Sequence, residues 1–101
     1  MRQVAIVGVG MTNFGRSDKT EVEMFGEAAM DAINESSLKP KDMQALLLGS
    51  AASAQEEGQQ IMASFCAADL GLAGIPATTF TAACSSSTYA MRDAWMWVGS
   101  G

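Results

Sequence analysis

The residues best suited to chemistry lie around Cys84, where a strand-like run ends and a helical run begins. Ligands of open α/β sheets bind beyond the carboxyl ends of the strands, so this junction favours a reactive group. A thiol at the start of a helix also faces free backbone amides and the positive end of the helix dipole, which stabilise the thiolate. Small neighbours leave room for a substrate to approach the sulfur: Ala82, Ala83, Ser85 and Ser86. Cys84 is therefore a candidate nucleophile, the alternative being a small core residue at the end of a strand.

Other chemical signals in the sequence are weaker. The chain has no histidine, so its own residues complete neither a Ser-His-Asp nor a Cys-His arrangement, and two cysteines alone do not make a zinc site. Gly8 and Gly10 follow a strand-like run, but the third glycine of a dinucleotide fingerprint is missing and the first helix begins only near Thr20. We expect a tight turn there. Cys66, beside Phe65, is expected in the core. No metal site and no bound cofactor are predicted.

The composition bounds the class of protein. The chain has 101 residues, of which 49% are hydrophobic and 17% charged, as expected for one small soluble globular domain. Eleven acidic and six basic residues give a net charge of −5, which disfavours nucleic acid and anionic membranes as partners, since both attract clustered lysine and arginine. Two cysteines are too few for a secreted disulfide framework, and no signal or membrane-spanning segment is expected. We expect a reducing, cytoplasmic setting.

Strand-like and helical patterns alternate three times along the chain. The β-branched run at 3–9 predicts a strand buried on both faces. Thr20 and Glu23 form a capping box at the start of a helix that Pro40 is expected to end. The remaining predicted elements are a strand at 42–49, a helix at 59–70, a strand at 77–83 and a helix at 85–98. The order β-α-β-α-β-α, with connections long enough for parallel crossovers, predicts an open, mostly parallel α/β sheet.

The last predicted helix is apolar on nearly every side. Its large apolar residues are Tyr89, Met91, Trp95, Met96, Trp97 and Val98. A helix of this kind is normally buried between two layers of protein. A domain of this size has little protein to supply both layers, so we expect the chain to be the first part of something larger or to pack against another chain.

Two segments of the sequence resemble the thiolase family. Residues 1–16 are similar to the opening of thiolases, most closely the archaeal acetyl-CoA acetyltransferases and the sterol-carrier-protein-linked thiolases. Residues 82–87 resemble the nucleophile motif of the same group. Decarboxylating ketosynthases share the Ala-Cys-Ser-Ser-Ser motif, but their cysteine lies deeper in the chain, whereas here two compact βα units precede it. Related thiolases carry Ala-Ser-Gly after the cysteine, so Ser87 departs from the family pattern at the glycine position.

The resemblance implies a thiolase-like fold, with residues 1–101 as the incomplete N-terminal βαβαβα part of a mostly parallel sheet and a buried helix after the nucleophile. It implies that Cys84 attacks an acyl-CoA or 3-oxoacyl-CoA and carries the acyl group as a thioester, in a two-step exchange that makes or cleaves 3-oxoacyl-CoA. Ser85 and Ser86 would contact the substrate. Coenzyme A thioesters would be substrates, with no cofactor bound. The family's activating histidine and second cysteine would lie elsewhere, so these residues alone are expected to be inactive.

The resemblance also bears on partners and on alternative functions. It implies a homodimer at minimum and, in the archaeal-like branch, a small partner protein with an OB domain and a zinc ribbon. One alternative is a decarboxylating ketosynthase-like condensing enzyme that works on acyl carrier protein. Another is a non-catalytic thiolase-like subunit that scaffolds an active partner, although a scaffold does not need a thiol at the position of Cys84.

Overall fold

The computed structural model describes residues 1–101 and contains two strands, four α-helices and one 3₁₀ turn. In chain order these are α1 (Glu21–Ser36), the 3₁₀ turn (Pro40–Asp42), β1 (Leu46–Gly49), α2 (Ser53–Glu56), α3 (Met62–Asp69), β2 (Ala77–Phe80) and α4 (Ser86–Ser100). The strands are parallel neighbours, in agreement with the predicted α/β class. No helix combines the length and the apolar content that crossing a lipid bilayer requires.

The two strands lie at the centre of the fold, with their carboxyl ends at the same edge. Leu46 lies opposite Ala77, and Gly49 lies opposite Phe80. Beyond the last pair, the Ser50 N–H donates to the Phe80 carbonyl at 3.0 Å. The strands predicted at 42–49 and 77–83 are therefore present, but each forms over only four residues.

Alternate side chains of β1 face two different layers, because successive residues of a strand point to opposite faces. Leu46 and Leu48 face α3, which packs in turn against α1, whereas Leu47 and Gly49 face α4. The buried core consists of Leu46, Leu48, Met62, Ala63, Cys66, Ala67 and Leu72, with Val22 and Phe25 of α1 packed against it. The sheet is thus sandwiched between α3 and α4.

α1 begins where the capping box predicts and ends earlier than predicted. The Thr20 hydroxyl accepts the Glu23 N–H at 3.2 Å. The helix ends at Ser36 because Ser37 takes a left-handed conformation with φ 65°. Pro40 therefore begins the 3₁₀ turn that follows and does not itself end the helix.

α3 is joined to the sheet by a bond between its first turn and the neighbouring strand. The predicted helix at 59–70 forms only over Met62–Asp69, and Ile61 before it offers no side-chain cap. Thr79 of β2 instead accepts the Ala63 N–H at 2.9 Å. Because Ala63 is buried, this hydroxyl satisfies an amide that water does not reach.

The predicted strand at 3–9 does not pair with the sheet, and that element of the prediction is wrong. The segment lies against α1: a Cβ placed on Gly8 would be 2.0 Å from the Ala32 carbonyl oxygen, and one placed on Gly10 would be 2.0 Å from the Ala28 oxygen. The two glycines thus meet carbonyls one helical turn apart. They allow close packing on a helix, and this role replaces the tight turn predicted for them.

Within these residues the last helix is covered on one side only. α4 buries Ser86, Ala90 and Gly99, the last of these beside Met1 and Arg2. Its large apolar side chains are 43–59% exposed, namely Tyr89, Met91, Trp95, Met96, Trp97 and Val98. The reason is that these 101 residues place a protein layer on only one side of the helix.

Candidate active site

Cys84 lies on the short connection between β2 and α4, at the carboxyl edge of the sheet. β2 ends at Phe80 and α4 begins at Ser86, so only a few residues carry the chain from strand to helix. The Cys84 thiol is free and exposed. The predicted nucleophile therefore stands where a separate substrate molecule has access to it.

The residue before the cysteine has an unfavourable backbone conformation. Ala83 has φ 49°, in the left-handed region that residues with a Cβ rarely adopt. The other non-glycine residue of this kind is Ser37, at the end of α1. Such a conformation costs about 1–3 kcal/mol and persists only where its surroundings hold it. One of the two residues of this kind thus lies directly beside the candidate nucleophile.

Two serines that follow Cys84 bind, through their hydroxyls, the backbone that precedes it. We call residues 82–86 the cysteine turn. Ser86 Oγ accepts the Ala82 N–H at 2.8 Å and donates to the Ala83 carbonyl at 2.7 Å. Ser85 Oγ donates to the Ala82 carbonyl, also at 2.7 Å. Both hydroxyl protons are used within the turn, and substrate binding by Ser85 and Ser86 stays a prediction.

The first turn of α4 rests directly on the end of β1. A Cβ on Gly49 would lie 2.4 Å from both the Cα and the N of Ser87 and 2.6 Å from the carbonyl carbon of Ser86. Ordinary contacts of this type are 3.4–4 Å, so no side chain fits at this position. Gly49 therefore sets how closely the cysteine turn approaches the sheet. Sequence reasoning missed this role, for which the signal was a glycine that ends an otherwise apolar strand.

Three backbone amides near the thiol have no acceptor within the chain, those of Cys84, Ser87 and Thr88. The first amide of this region to find a helical acceptor is that of Tyr89, which donates to the Ser85 carbonyl at 3.1 Å. Unpaired N–H groups at a helix start favour negative charge. The site thus combines a thiol with donors of the kind that stabilise an oxyanion.

The surface beside the cysteine turn is an open groove. It has a volume of about 520 Å³ and is lined by Ser87, Thr88, Met91, Arg92 and Trp95. Arg92 is its charged group; its guanidinium lies 5.0 Å from the centre of the Tyr89 ring and 3.1 Å from the Asp93 carboxylate. No three His, Cys, Asp or Glu side chains lie close enough together to hold a metal ion.

The second cysteine lies in the core, as predicted. Cys66 is 1% exposed. Burial raises the pKa of its thiol to about 11, and the carboxylates of Glu21, Asp69 and Glu57 act in the same direction. A thiol that keeps its proton at neutral pH is a poor nucleophile. Cys84 is therefore the reactive candidate of the pair.

The amino-acid sequence is similar to a known family domain and to two archaeal proteins. Residues 4–101 match the thiolase N-terminal domain. The chain is 35% identical, over 102 residues, to the acetyl-CoA acetyltransferases of Methanocaldococcus jannaschii and Methanothermobacter thermautotrophicus. These alignments cover 100% of this chain but only 26% and 27% of the two relatives, so the chain spans about a quarter of their length.

The fold also has a counterpart among solved structures. The 3-oxoacyl-[acyl-carrier-protein] synthase III from Aquifex aeolicus VF5 matches 84% of this chain and 27% of its own, with 28% identity and a TM-score of 0.73. That likeness confirms the thiolase-like fold class. Because the thiolase N-terminal domain matches nearly every residue, the chain belongs to the thiolase family.

Proposed function

We propose that the protein is an acyl-CoA acyltransferase of the thiolase type, which makes or cleaves 3-oxoacyl-CoA through an S-acyl intermediate on Cys84. The observation that carries the proposal is the exposed Cys84 thiol, next to the strained Ala83 and at the start of α4, in a chain of the thiolase family. Two relatives bear the name acetyl-CoA acetyltransferase, which favours an acetyl group as the transferred unit.

In the first half-reaction, the Cys84 thiolate attacks the carbonyl carbon of an acyl-CoA. Negative charge develops on the carbonyl oxygen, and the unpaired amide of Cys84 is a donor that this chain offers to it. One such donor is worth about 10²–10³ in rate. The new C–S bond to Cys84 forms, the bond to the CoA sulfur breaks, and CoA takes up a proton and leaves as the free thiol.

In the second half-reaction, the acyl group passes from Cys84 to an acceptor. For synthesis, a base removes a proton from C2 of a second acetyl-CoA, the resulting carbanion attacks the S-acyl carbon, and the Cys84 thiolate is released. For cleavage, the Cys84 thiolate instead attacks C3 of a 3-oxoacyl-CoA, the C2–C3 bond breaks, and the departing acetyl-CoA carbanion takes up a proton at C2. The thiol of free CoA then loses its proton to the base, its sulfur attacks the S-acyl carbon, and the Cys84 thiolate is released. We place this base in a part of the thiolase subunit outside these residues, since the chain contains no histidine.

We also propose that residues 1–101 act as the N-terminal part of a longer thiolase subunit. Trp95 and Trp97 of α4 are 49% and 50% exposed, and large aromatic side chains gain much by leaving water. The remainder of the subunit, or a second copy in a homodimer, would cover them. The free Cys66 and Cys84 support the proposed reducing, cytoplasmic setting. An OB-fold and zinc-ribbon partner stays a prediction.

Thiolysis of acetoacetyl-CoA by free CoA tests the proposal. In the intact protein we expect ping-pong kinetics, and Cys84→Ala should lower kcat by at least about 10³-fold because the covalent route is lost. Cys66→Ala is the matched control: it also removes a thiol, but one that is buried away from the site, so activity should persist. A Cys84→Ala protein with undiminished kcat would contradict the proposal.

A decarboxylating condensing enzyme is the second candidate. The likeness to the 3-oxoacyl-[acyl-carrier-protein] synthase III from Aquifex aeolicus VF5 favours it. Such an enzyme would transfer an acyl group from Cys84 to malonyl-acyl carrier protein with release of carbon dioxide. Condensation with malonyl-acyl carrier protein, but no thiolysis of acetoacetyl-CoA, would select this candidate. Neither reaction, together with an unreactive Cys84, would select the scaffold function.

A further inference from the structure

We propose that Ser86 is a positioning residue, which holds Cys84 in its reactive place through the backbone of the cysteine turn. The proposal rests on the proposed function, since it concerns the same nucleophile. It gives Ser86 a role that acts through Ala82 and Ala83, not through contact with the substrate.

The Ser86 hydroxyl has no proton left to give to a substrate. A serine hydroxyl carries one proton and two lone pairs. The proton goes to the Ala83 carbonyl, and one lone pair takes the Ala82 N–H. Ser86 is also only 3% exposed, whereas Cys84 is open to solvent. A substrate that reaches the thiol therefore does not reach this hydroxyl unless the turn opens.

The two bonds of Ser86 enclose the strained residue. One bond holds the N–H of Ala82, the residue before Ala83, and the other holds the carbonyl of Ala83 itself. Ser86 therefore binds the backbone on both sides of the Ala83 φ angle, which is 49°. A strained conformation persists only where the surrounding structure over-determines it. The Ser86 N–H also donates to the Ala83 carbonyl, at 3.2 Å, but almost any residue could make that bond. We call the two hydroxyl bonds, to the Ala82 N–H and the Ala83 carbonyl, the Ser86 clamp. These are the bonds that require a hydroxyl at position 86.

Loss of the clamp should displace the thiol. Without the Ser86 hydroxyl, Ala83 can relax towards negative φ, and Cys84, the next residue, moves with it. A displacement of about 1 Å at a reacting atom can cost on the order of 10² in rate. We therefore expect Ser86→Ala to lower kcat about 10-fold to 100-fold, with KM within about threefold of wild type because Ser86 does not bind the substrate.

The test compares Ser86→Ala with a matched control in the intact protein. Ser36→Ala is that control, because the Ser36 hydroxyl likewise donates to one carbonyl, of Ile33 at 2.6 Å, and accepts one amide, of Leu38 at 3.1 Å, at the end of α1. Ser86→Thr keeps the hydroxyl. For each protein, the rate of Cys84 acetylation by acetyl-CoA is measured by rapid quench and mass spectrometry, together with kcat and KM for thiolysis of acetoacetyl-CoA.

Slower acetylation and a lower kcat in Ser86→Ala, restored by Ser86→Thr and absent from Ser36→Ala, would support the proposal. Wild-type rates in Ser86→Ala, or equal slowing in Ser36→Ala, would overturn it. A raised KM at unchanged kcat would assign Ser86 to substrate binding and overturn it as well.

Two other results are possible: Ser86→Ala does not fold, or wild-type Cys84 is not acetylated. If Ser86→Ala does not fold, Ser85→Ala removes the exposed hydroxyl that donates to the Ala82 carbonyl. It should lower kcat by about threefold at constant KM, the effect of one modest hydrogen bond, and an unchanged kcat would overturn the proposal. If wild-type Cys84 is not acetylated at all, the proposed function fails, a result distinct from every comparison among the variants.

Discussion

Replacing Gly49 by alanine would push the start of α4 away from β1. The new methyl carbon would lie 2.4 Å from the Ser87 backbone, where ordinary contact begins near 3.4 Å, so α4 must move by about 1 Å. The obstructing atoms are backbone and cannot rotate aside. We expect the free energy of unfolding to fall by about 1–3 kcal/mol, as in other overpacked sites. Because about 1 Å of misplacement can cost 10² in rate, Cys84 acetylation should slow by about 10-fold to 100-fold.

The assay combines urea unfolding, followed by circular dichroism, with the rate of Cys84 acetylation by acetyl-CoA in the intact protein. Gly26→Ala, in the middle of α1, is the matched control. Its methyl carbon would meet only the Asp69 carboxylate, at 3.1 Å, and this is the end of a flexible side chain. Alanine is favoured over glycine within a helix by about 0.8–1.0 kcal/mol. The control should therefore keep the wild-type acetylation rate and an equal or higher free energy of unfolding.

Wild-type stability and acetylation in Gly49→Ala would refute this reasoning, because they would mean that α4 does not rest on β1 at the distance described. A loss of stability with an unchanged acetylation rate would refute only the claim that Gly49 positions Cys84. In that case the close packing of α4 on Gly49 would stabilise the fold without positioning Cys84.

Three other perturbations have expected outcomes of their own. Thr79→Val should lower the free energy of unfolding by about 1–3 kcal/mol, because the buried Ala63 N–H loses its acceptor; an unchanged urea midpoint would contradict this. Between about pH 9 and pH 11 the unfolded Cys66 thiol ionises while the folded thiol, with its pKa raised to about 11, keeps its proton, so stability should decline with rising pH by up to about 2–3 kcal/mol. Cys66→Ala should lack that part of the decline, and identical pH profiles would rule it out. Gly10→Ala should release the N-terminal segment from α1, since its methyl carbon would lie 2.0 Å from the Ala28 carbonyl oxygen; unaltered amide hydrogen exchange in α1 would argue against that packing.

Patterns over a few neighbouring residues predicted the positions of most elements. The capping box at Thr20 located the start of α1, because helix N-termini depend on bonds between residues two or three apart. Apolar and β-branched runs located β1 and β2. The change from such a run to small residues and then to a helical pattern located Cys84 at a strand-to-helix junction.

Features that depend on distant partners were not predictable from these patterns. The run at 3–9 is apolar whether it pairs with a strand or lies on a helix, so periodicity did not reveal its packing against α1 through Gly8 and Gly10. The apolar surface of α4 likewise indicates that cover is needed but not which protein provides it. Neither partner was predictable, because hydrophobicity identifies a surface to be buried and does not identify what buries it.

For the site, residue types predicted where the thiol is but not what holds it there. Alanine normally avoids the left-handed region, so nothing in the sequence indicates φ 49° at Ala83. Gly49 matters only once α4 lies across β1. The sequence also does not show that the Ser86 hydroxyl bonds the backbone of Ala82 and Ala83.

Whether Cys84 carries an acetyl group can be measured by intact-mass spectrometry of the protein after incubation with acetyl-CoA, followed by peptide mapping. We expect one acetyl group per chain, attached to Cys84, removed by free CoA and absent from Cys84→Ala. Cys66 should stay unmodified because its thiol is buried and holds its proton. An acetyl group on another residue, or none on Cys84 in the intact protein, would contradict the account.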